Sequence, residues 1–297
     1  MATFSVHGAR AVRILVLAVL AAAGPATGWA GGVGIPVEDR VPSTEVVGGT
    51  AVTPGDWPDC AAVLFGADVG CTGVLIAPTV VLTAGHCIGG VTQVYLGTWD
   101  LTQPPGEAVD VVQEVAHPNW WSTYDVGVLI LDTPSAVPPR MIAHGCAHDR
   151  IVDGASATVV GWGATDTWGT VGTTDLMEAD MSLEDADCSD PALGCNPSVS
   201  PGGELVAGGG GVDSCFGDSG GPLYLRTPGQ DLLVGITSRA VATSAVPCGD
   251  GGIYVRPDAI IPWIELQTGV TLPVPDCGLF LDGFESGDTS AWMSALP

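Results

Sequence analysis

The sequence contains no lysine: its 8 basic residues are all arginines, set against 33 acidic side chains for a formal net charge of −25. Nucleic acid is excluded as a partner, because phosphate contacts need clustered basic side chains. Beyond residue 30 no apolar run is long enough to span a bilayer, so no membrane span is expected in the mature chain. No Cys-x-x-Cys pair occurs, which argues against a metal site built on cysteines. Repeats at solenoid or propeller periods are missing too. Helical periodicity is confined to residues 257–268, with Ile260, Ile261, Ile264 and Leu266 on the repeat.

What the chain has instead is turn chemistry. Its 43 glycines and 23 prolines, among abundant valine and threonine, favour many short strands over long helices. With 297 residues and 46% hydrophobic content it can fill one large domain or two fused barrels. Short β-rich runs at residues 61–65, 73–76, 80–82, 126–131 and 157–160 alternate with turn clusters, the pattern of an antiparallel barrel or sandwich. The acidic excess reads as a solvated surface that keeps the chain soluble.

Residues 1–30 carry Arg10 and Arg13, an apolar run over residues 14–23, and small residues up to Ala30, the order of a secretory signal peptide cleaved after Ala30. Residues 31–45 have no hydrophobic period and read as a linker or propeptide. Export favours disulfides among the 9 cysteines, and an odd number leaves one without an intramolecular partner.

Three motifs carry chemistry. In DSCFGDSGGP, residues 213–222, Ser219 lies between glycine-rich flanks that permit a tight turn, with the N–H groups of Gly217 and Ser219 available to a developing oxyanion. In LTAGHC, residues 82–87, His86 follows an apolar strand and offers an imidazole that can take and return a proton near neutral pH. Asp125 precedes the run VGVLIL, where a carboxylate at the mouth of a buried strand needs a donor such as an imidazole N–H. His7, His117, His144 and His148 are read as structural.

Together these motifs, in the order His, Asp, Ser, resemble the chymotrypsin/trypsin family. The resemblance runs over residues 46–268 and includes VVGG at 46–49, HPNW at 117–120, GWG at 161–163 and the Trp263-Ile264 pair. It implies an all-β fold of two six-stranded antiparallel Greek-key barrels with a C-terminal helix, and a secreted serine endopeptidase acting on protein or peptide substrates without a cofactor or metal. His86, Asp125 and Ser219 would be catalytic. A cut before Val46 would free an ammonium group to pair with Asp218. Glu45 precedes that cut, so a separate activating protease is expected. Asp213 would lie at the floor of the specificity pocket and favour Arg or Lys, with Ser214, Ser238, Ala240 and Gly252 around it. For such an enzyme the scarcity of basic residues would also limit self-digestion.

The resemblance further implies the disulfides Cys71–Cys87, Cys188–Cys195 and Cys215–Cys248. Cys60 is expected to pair with Cys146, leaving Cys277 free or intermolecular. Where the family has Ser-Trp-Gly this chain has Ser238-Arg239-Ala240; Arg239 is expected to compete for Asp213 or for acidic substrate groups, and Ala240 to narrow the pocket. Glu107, Asp110 and Glu114 do not form a clear calcium loop. The tail, residues 269–297, contains DGFESGD and looks like short tails of exported bacterial proteins; it is either a sorting or surface element or has no function. A binding protein that keeps the fold without catalysis is the alternative to an enzyme.

Overall fold

Runs of four to six β-branched and aliphatic residues closed by Gly, Pro or Asp are too short to make helices of useful length. In the computed structural model, which describes residues 46–196 and 203–276, they form antiparallel strands. The expected signal peptide and propeptide, Cys277 and the rest of the expected tail lie outside the described residues. The strands are β1 (Thr50–Ala51), β2 (Cys60–Phe65), β3 (Asp68–Ala77), β4 (Val80–Thr83), β5 (Gln93–Leu96), β6 (Glu107–Ala116) and β7 (Gly127–Leu131). After them come β8 (Ser156–Gly161), β9 (Met177–Asp185), β10 (Glu204–Ala207), β11 (Pro222–Thr227), β12 (Gln230–Ala240) and β13 (Gly252–Val255).

β2 to β7 close a six-stranded barrel in the order β2-β3-β4-β7-β6-β5. β8 to β13 close a second one, ordered β9-β10-β13-β12-β11-β8 and sealed by β8 pairing with β9, while β1 adds to the outside of β9. After the second barrel comes a 3₁₀ turn, Pro257–Ile260, leading into helix α1 (Ile261–Thr268), which Gly269 stops in the left-handed region at φ 68°. Ile260 and Ile264 are buried, but Leu266 is 78% exposed, so the helix packs through a narrower face than its sequence pattern promised. Among the described residues no helix is long and apolar enough to cross a membrane.

Strand alternation explains why several of these segments read as unbroken apolar runs. Ala61 and Val63 of β2 join Leu75, Val81, Val94 and Leu129 in one core. Cys60, Ala62 and Leu64 of the same strand face a second core, which also takes Val160, Tyr224, Ile236 and Ile264 from the C-terminal half. Such strands are buried on both faces, one filling a barrel and the other the seam between barrels. β9 is the opposite case: its burial alternates strictly, with Met177, Ala179, Met181 and Leu183 inside and Asp180 and Glu184 outside.

The seam also holds charge. Asp59, 1% exposed, accepts from Arg140 Nη2 at 2.6 Å and Nε at 3.1 Å, and from Tyr224 Oη at 2.7 Å. Trp57 stacks on Tyr224 with centroids 4.4 Å apart, and the Arg140 guanidinium lies 4.7 Å from the Tyr224 ring centre. Every donor facing the carboxylate is therefore used. Removing the carboxylate would strand a buried cation and a buried hydroxyl, so Asp59→Ala is expected to lower stability by about 3–5 kcal/mol, read from the urea midpoint at unchanged m.

Candidate active site

His86 and Asp125 meet because their strands do. β4 pairs with β7 in a register that sets Thr83 opposite Gly127, so the turn Gly85–Cys87 after β4 lies beside the residue that leads into β7. Asp125 Oδ1 accepts the backbone N–H of His86 at 2.9 Å, and Oδ2 faces His86 Nδ1 at 2.8 Å. Ser238 Oγ, from β12 of the other barrel, donates to the same Oδ2 at 2.8 Å. Burial alone would raise the Asp125 carboxyl, but the bonds from His86 and Ser238 outweigh it and hold its pKa below the ordinary value. In return the hydrogen bond to Asp125 lifts the His86 pKa above its usual 6.5, against the opposing pull of burial.

Ser219 is held by the first barrel. Its carbonyl accepts from Thr72 N–H at 2.9 Å, Thr72 Oγ1 donates to the Gly217 carbonyl at 2.8 Å, and Thr83 Oγ1 donates to the Thr72 carbonyl at 2.8 Å. Gly220, at φ 82°, is pressed so close to Thr83, Ala84 and Thr72 that a Cβ would overlap all three. Gly217, at φ 104°, lies against Gly163, where a Cβ would stand 2.9 Å from its Cα. Among the described residues neither the Gly217 N–H nor the Ser219 N–H has a protein acceptor, whereas the Asp218 and Gly220 N–H groups are taken by Cys215 and Thr237 carbonyls. His86 and Ser219 both line a cavity of about 460 Å³, as do Ser214, Ser238 and Ala240.

Asp213 and Gly252 stand behind that wall rather than on it. A Cβ on Gly252 would sit 3.1 Å from both Asp213 Oδ1 and Ser214 Oγ, so the carboxylate lies just beneath the Ser214 side of the cavity. Its Oδ2 accepts from Gly249 and Gly251 N–H at 2.9 and 3.1 Å, while Oδ1 is buried with no partner among the described residues. Burial raises its pKa despite those N–H bonds. Asp218, fully buried, accepts from Gly163 and Cys215 N–H at 2.8 Å each, and burial pushes it up to about 7. Val46 is wholly buried, and Val47 pairs with Asp213.

Among pairs of described residues, three disulfides join Cys71 to Cys87, Cys188 to Cys195, and Cys215 to Cys248. The expected Cys60–Cys146 bridge is not made: Cys60 is a free thiol enclosed in the seam, and Cys146 is already in a disulfide. The physical reason is that β2 turns Cys60 into the core shared by the barrels, with its sulfur toward the Val160 carbonyl. Nor does Arg239 compete for Asp213. Its Nη1 and Nη2 clasp Glu204 at 2.8 and 2.9 Å. Glu114 is spent on the Gly89 and Gly90 N–H groups, Glu107 on Ala136 N–H and Asp110 on Gln93. Ser238 was expected only on the pocket wall; its bond to Asp125 and the Glu204 partner of Arg239 join residues 113 and 35 positions apart, which no local motif signals.

The Trypsin family model matches residues 46–264. Mouse serine protease 56 is 33% identical over 248 residues, 78% of this chain but 40% of its own length, so the chain spans about two fifths of that relative. Brachyurin of the fiddler crab Leptuca pugilator is 30% identical over 235 residues, covering 76% of this chain and all of its own. Among solved structures, mouse neuropsin, a serine protease expressed in the limbic system, superposes with a TM-score of 0.61 at 27% identity over 74% of this chain and 98% of its own. Two closed barrels and a site assembled across their seam accompany a sequence match over most of the chain, and the protein belongs to the trypsin family of serine proteases.

Proposed function

We propose that the chain is a secreted serine endopeptidase that cleaves after arginine or lysine through an acyl-enzyme. The observation that carries this reading is the Asp125–His86 Nδ1 bond beside a cavity whose wall includes both His86 and Ser219. With Nδ1–H engaged, Nε2 is left unprotonated and serves as the base. Ser219 Oγ attacks the scissile carbonyl, His86 takes its proton and passes it to the leaving amine, and water then releases the acyl group by the same route in reverse. The unspent N–H groups of Gly217 and Ser219 receive the oxyanion.

The unpartnered Oδ1 of Asp213 supports a cationic side chain as the preferred occupant of the pocket. A long basic group reaches it past Ser214, where Gly252 leaves room. Burial of Val46, with no cation bonded to Asp218 among the described residues, supports a cut after Glu45 whose new ammonium neutralises that carboxyl. Boundaries follow: signal peptide 1–30, propeptide 31–45, protease domain 46–268 and tail 269–297. Export rests on the signal sequence. The bacterial source suggested by the tail has no counterpart in the relatives named above, which are animal proteins.

Ser219→Ala is expected to lower turnover about a millionfold without loss of fold, and an organophosphonate should label the wild type at Ser219 and not the variant. Unchanged peptidase activity in the variant would overturn the assignment. Because the base works only when neutral and its pKa is raised, activity should fall as pH drops through a midpoint above 6.5; in Asp125→Asn that midpoint should move to lower pH. Asp213→Ser should cut kcat/KM for Arg substrates by about 10²-fold or more and remove the basic preference in a peptide library. N-terminal sequencing of the active form should begin at Val46.

A further inference from the structure

Ser238 Oγ donates to Asp125 Oδ2 at 2.8 Å, the same oxygen that faces His86 Nδ1. A hydroxyl carries one proton and rotates about its C–O bond, so a neighbour must decide where that proton points. Arg239 Nη1 lies 3.2 Å from Ser238 Oγ and has no lone pair to offer, so the oxygen can only accept from it. The Ser238 proton is thereby left for Asp125.

Arg239 is itself held in place. The other hydrogen of Nη1 goes to Glu204 Oε1 at 2.8 Å, and those of Nη2 go to Glu204 Oε2 at 2.9 Å and the Gly194 carbonyl at 3.2 Å. Four of the five guanidinium donors are therefore fixed. Glu204, on β10, is fully buried and also accepts the Asn196 N–H at 2.8 Å, so it cannot turn away. The contacts run unbroken from Glu204 through Arg239 and Ser238 to Asp125 and His86, crossing from the second barrel to the first. A tryptophan, which the family resemblance would set at residue 239, has one N–H on a rigid ring and could not grip a carboxylate and a hydroxyl together. The resemblance therefore does not supply this linkage.

We propose that Arg239 is a positioning residue for His86: locked on Glu204, it fixes the Ser238 hydroxyl as a donor to Asp125, and the carboxylate so held orients the imidazole. This rests on the endopeptidase reading above. With Arg239 removed, the Ser238 proton turns to other acceptors and Asp125 Oδ2 keeps one donor of two. Arg239→Met alone would strand the buried Glu204 charge and could prevent folding. Arg239→Met combined with Glu204→Gln removes both charges and keeps an acceptor for Asn196.

The test measures kcat and KM on a short Arg amide, labelling of Ser219 by a small organophosphonate without a peptide arm, and the urea midpoint. The paired variant should lose about tenfold in kcat with KM changed less than about twofold, and should label about tenfold more slowly. Ser238→Ala should lose a similar factor, and adding the pair in that background should cost nothing further, because both act through one bond. Three results would overturn the role: a raised KM with labelling at the wild-type rate, a lowered urea midpoint with kcat unchanged, or losses from the pair and Ser238→Ala that multiply. If the wild type cleaves the amide and takes the label, any of these sinks the positioning role alone. If the wild type does neither, the endopeptidase reading fails and the positioning role with it.

Discussion

One buried carboxylate carries the geometry of the site. Asp125 accepts the backbone and ring N–H groups of His86 from its own barrel and the hydroxyl of Ser238 from the other. A carboxylate at that depth is tolerable only while its lone pairs are occupied. Its donors come from both sides of the seam, so the barrels cannot rotate relative to each other without leaving it short. The imidazole gains orientation from the same bonds. Positioning of the imidazole and docking of the barrels are thus one constraint rather than two.

Four other buried acids fall into two kinds, while Asp185 is held by donors of Ser189 and Asp190. Asp59 and Glu204 each face an arginine, Arg140 and Arg239, and each arginine is held through two nitrogens. Those pairs are internally neutral and serve as fixed parts of the frame. Asp213 and Asp218 have backbone N–H donors but no cation among the described residues, and burial raises the pKa of both. Under the proposed function each would be neutralised from outside, Asp213 by the substrate and Asp218 by the freed amino terminus.

Close approach does the rest. Ser219 is fixed through Thr72 and the tight seat of Gly220 against the first barrel, and Cys71–Cys87 ties the histidine turn to the same strand that carries Thr72. Among the described residues, which form 13 strands and one short helix, most contacts join residues remote in sequence. The exposed aromatic rings beside the site are Trp120 and Trp121, on the loop between β6 and β7, and Phe216, next to the serine turn.

Short apolar runs, glycine-flanked serine, and histidine and aspartate next to buried strands were all written locally and pointed to an antiparallel barrel or sandwich; the two barrels and the meeting of His86 with Asp125 were implied by the family resemblance those motifs carry. Polar strands such as β6 and β9 were harder to see, because their outward faces carry Glu107, Asp110, Glu114, Asp180 and Glu184. The cysteine left unbridged was also beyond counting, since only the facing of β2 decides that Cys60 points into the seam. The same holds for Ser238 serving Asp125 and for Glu204 capturing Arg239. Sequence determines which groups are present and the local geometry of each; which donor fills which buried acceptor is settled only when two barrels close against one another and water leaves the space between them.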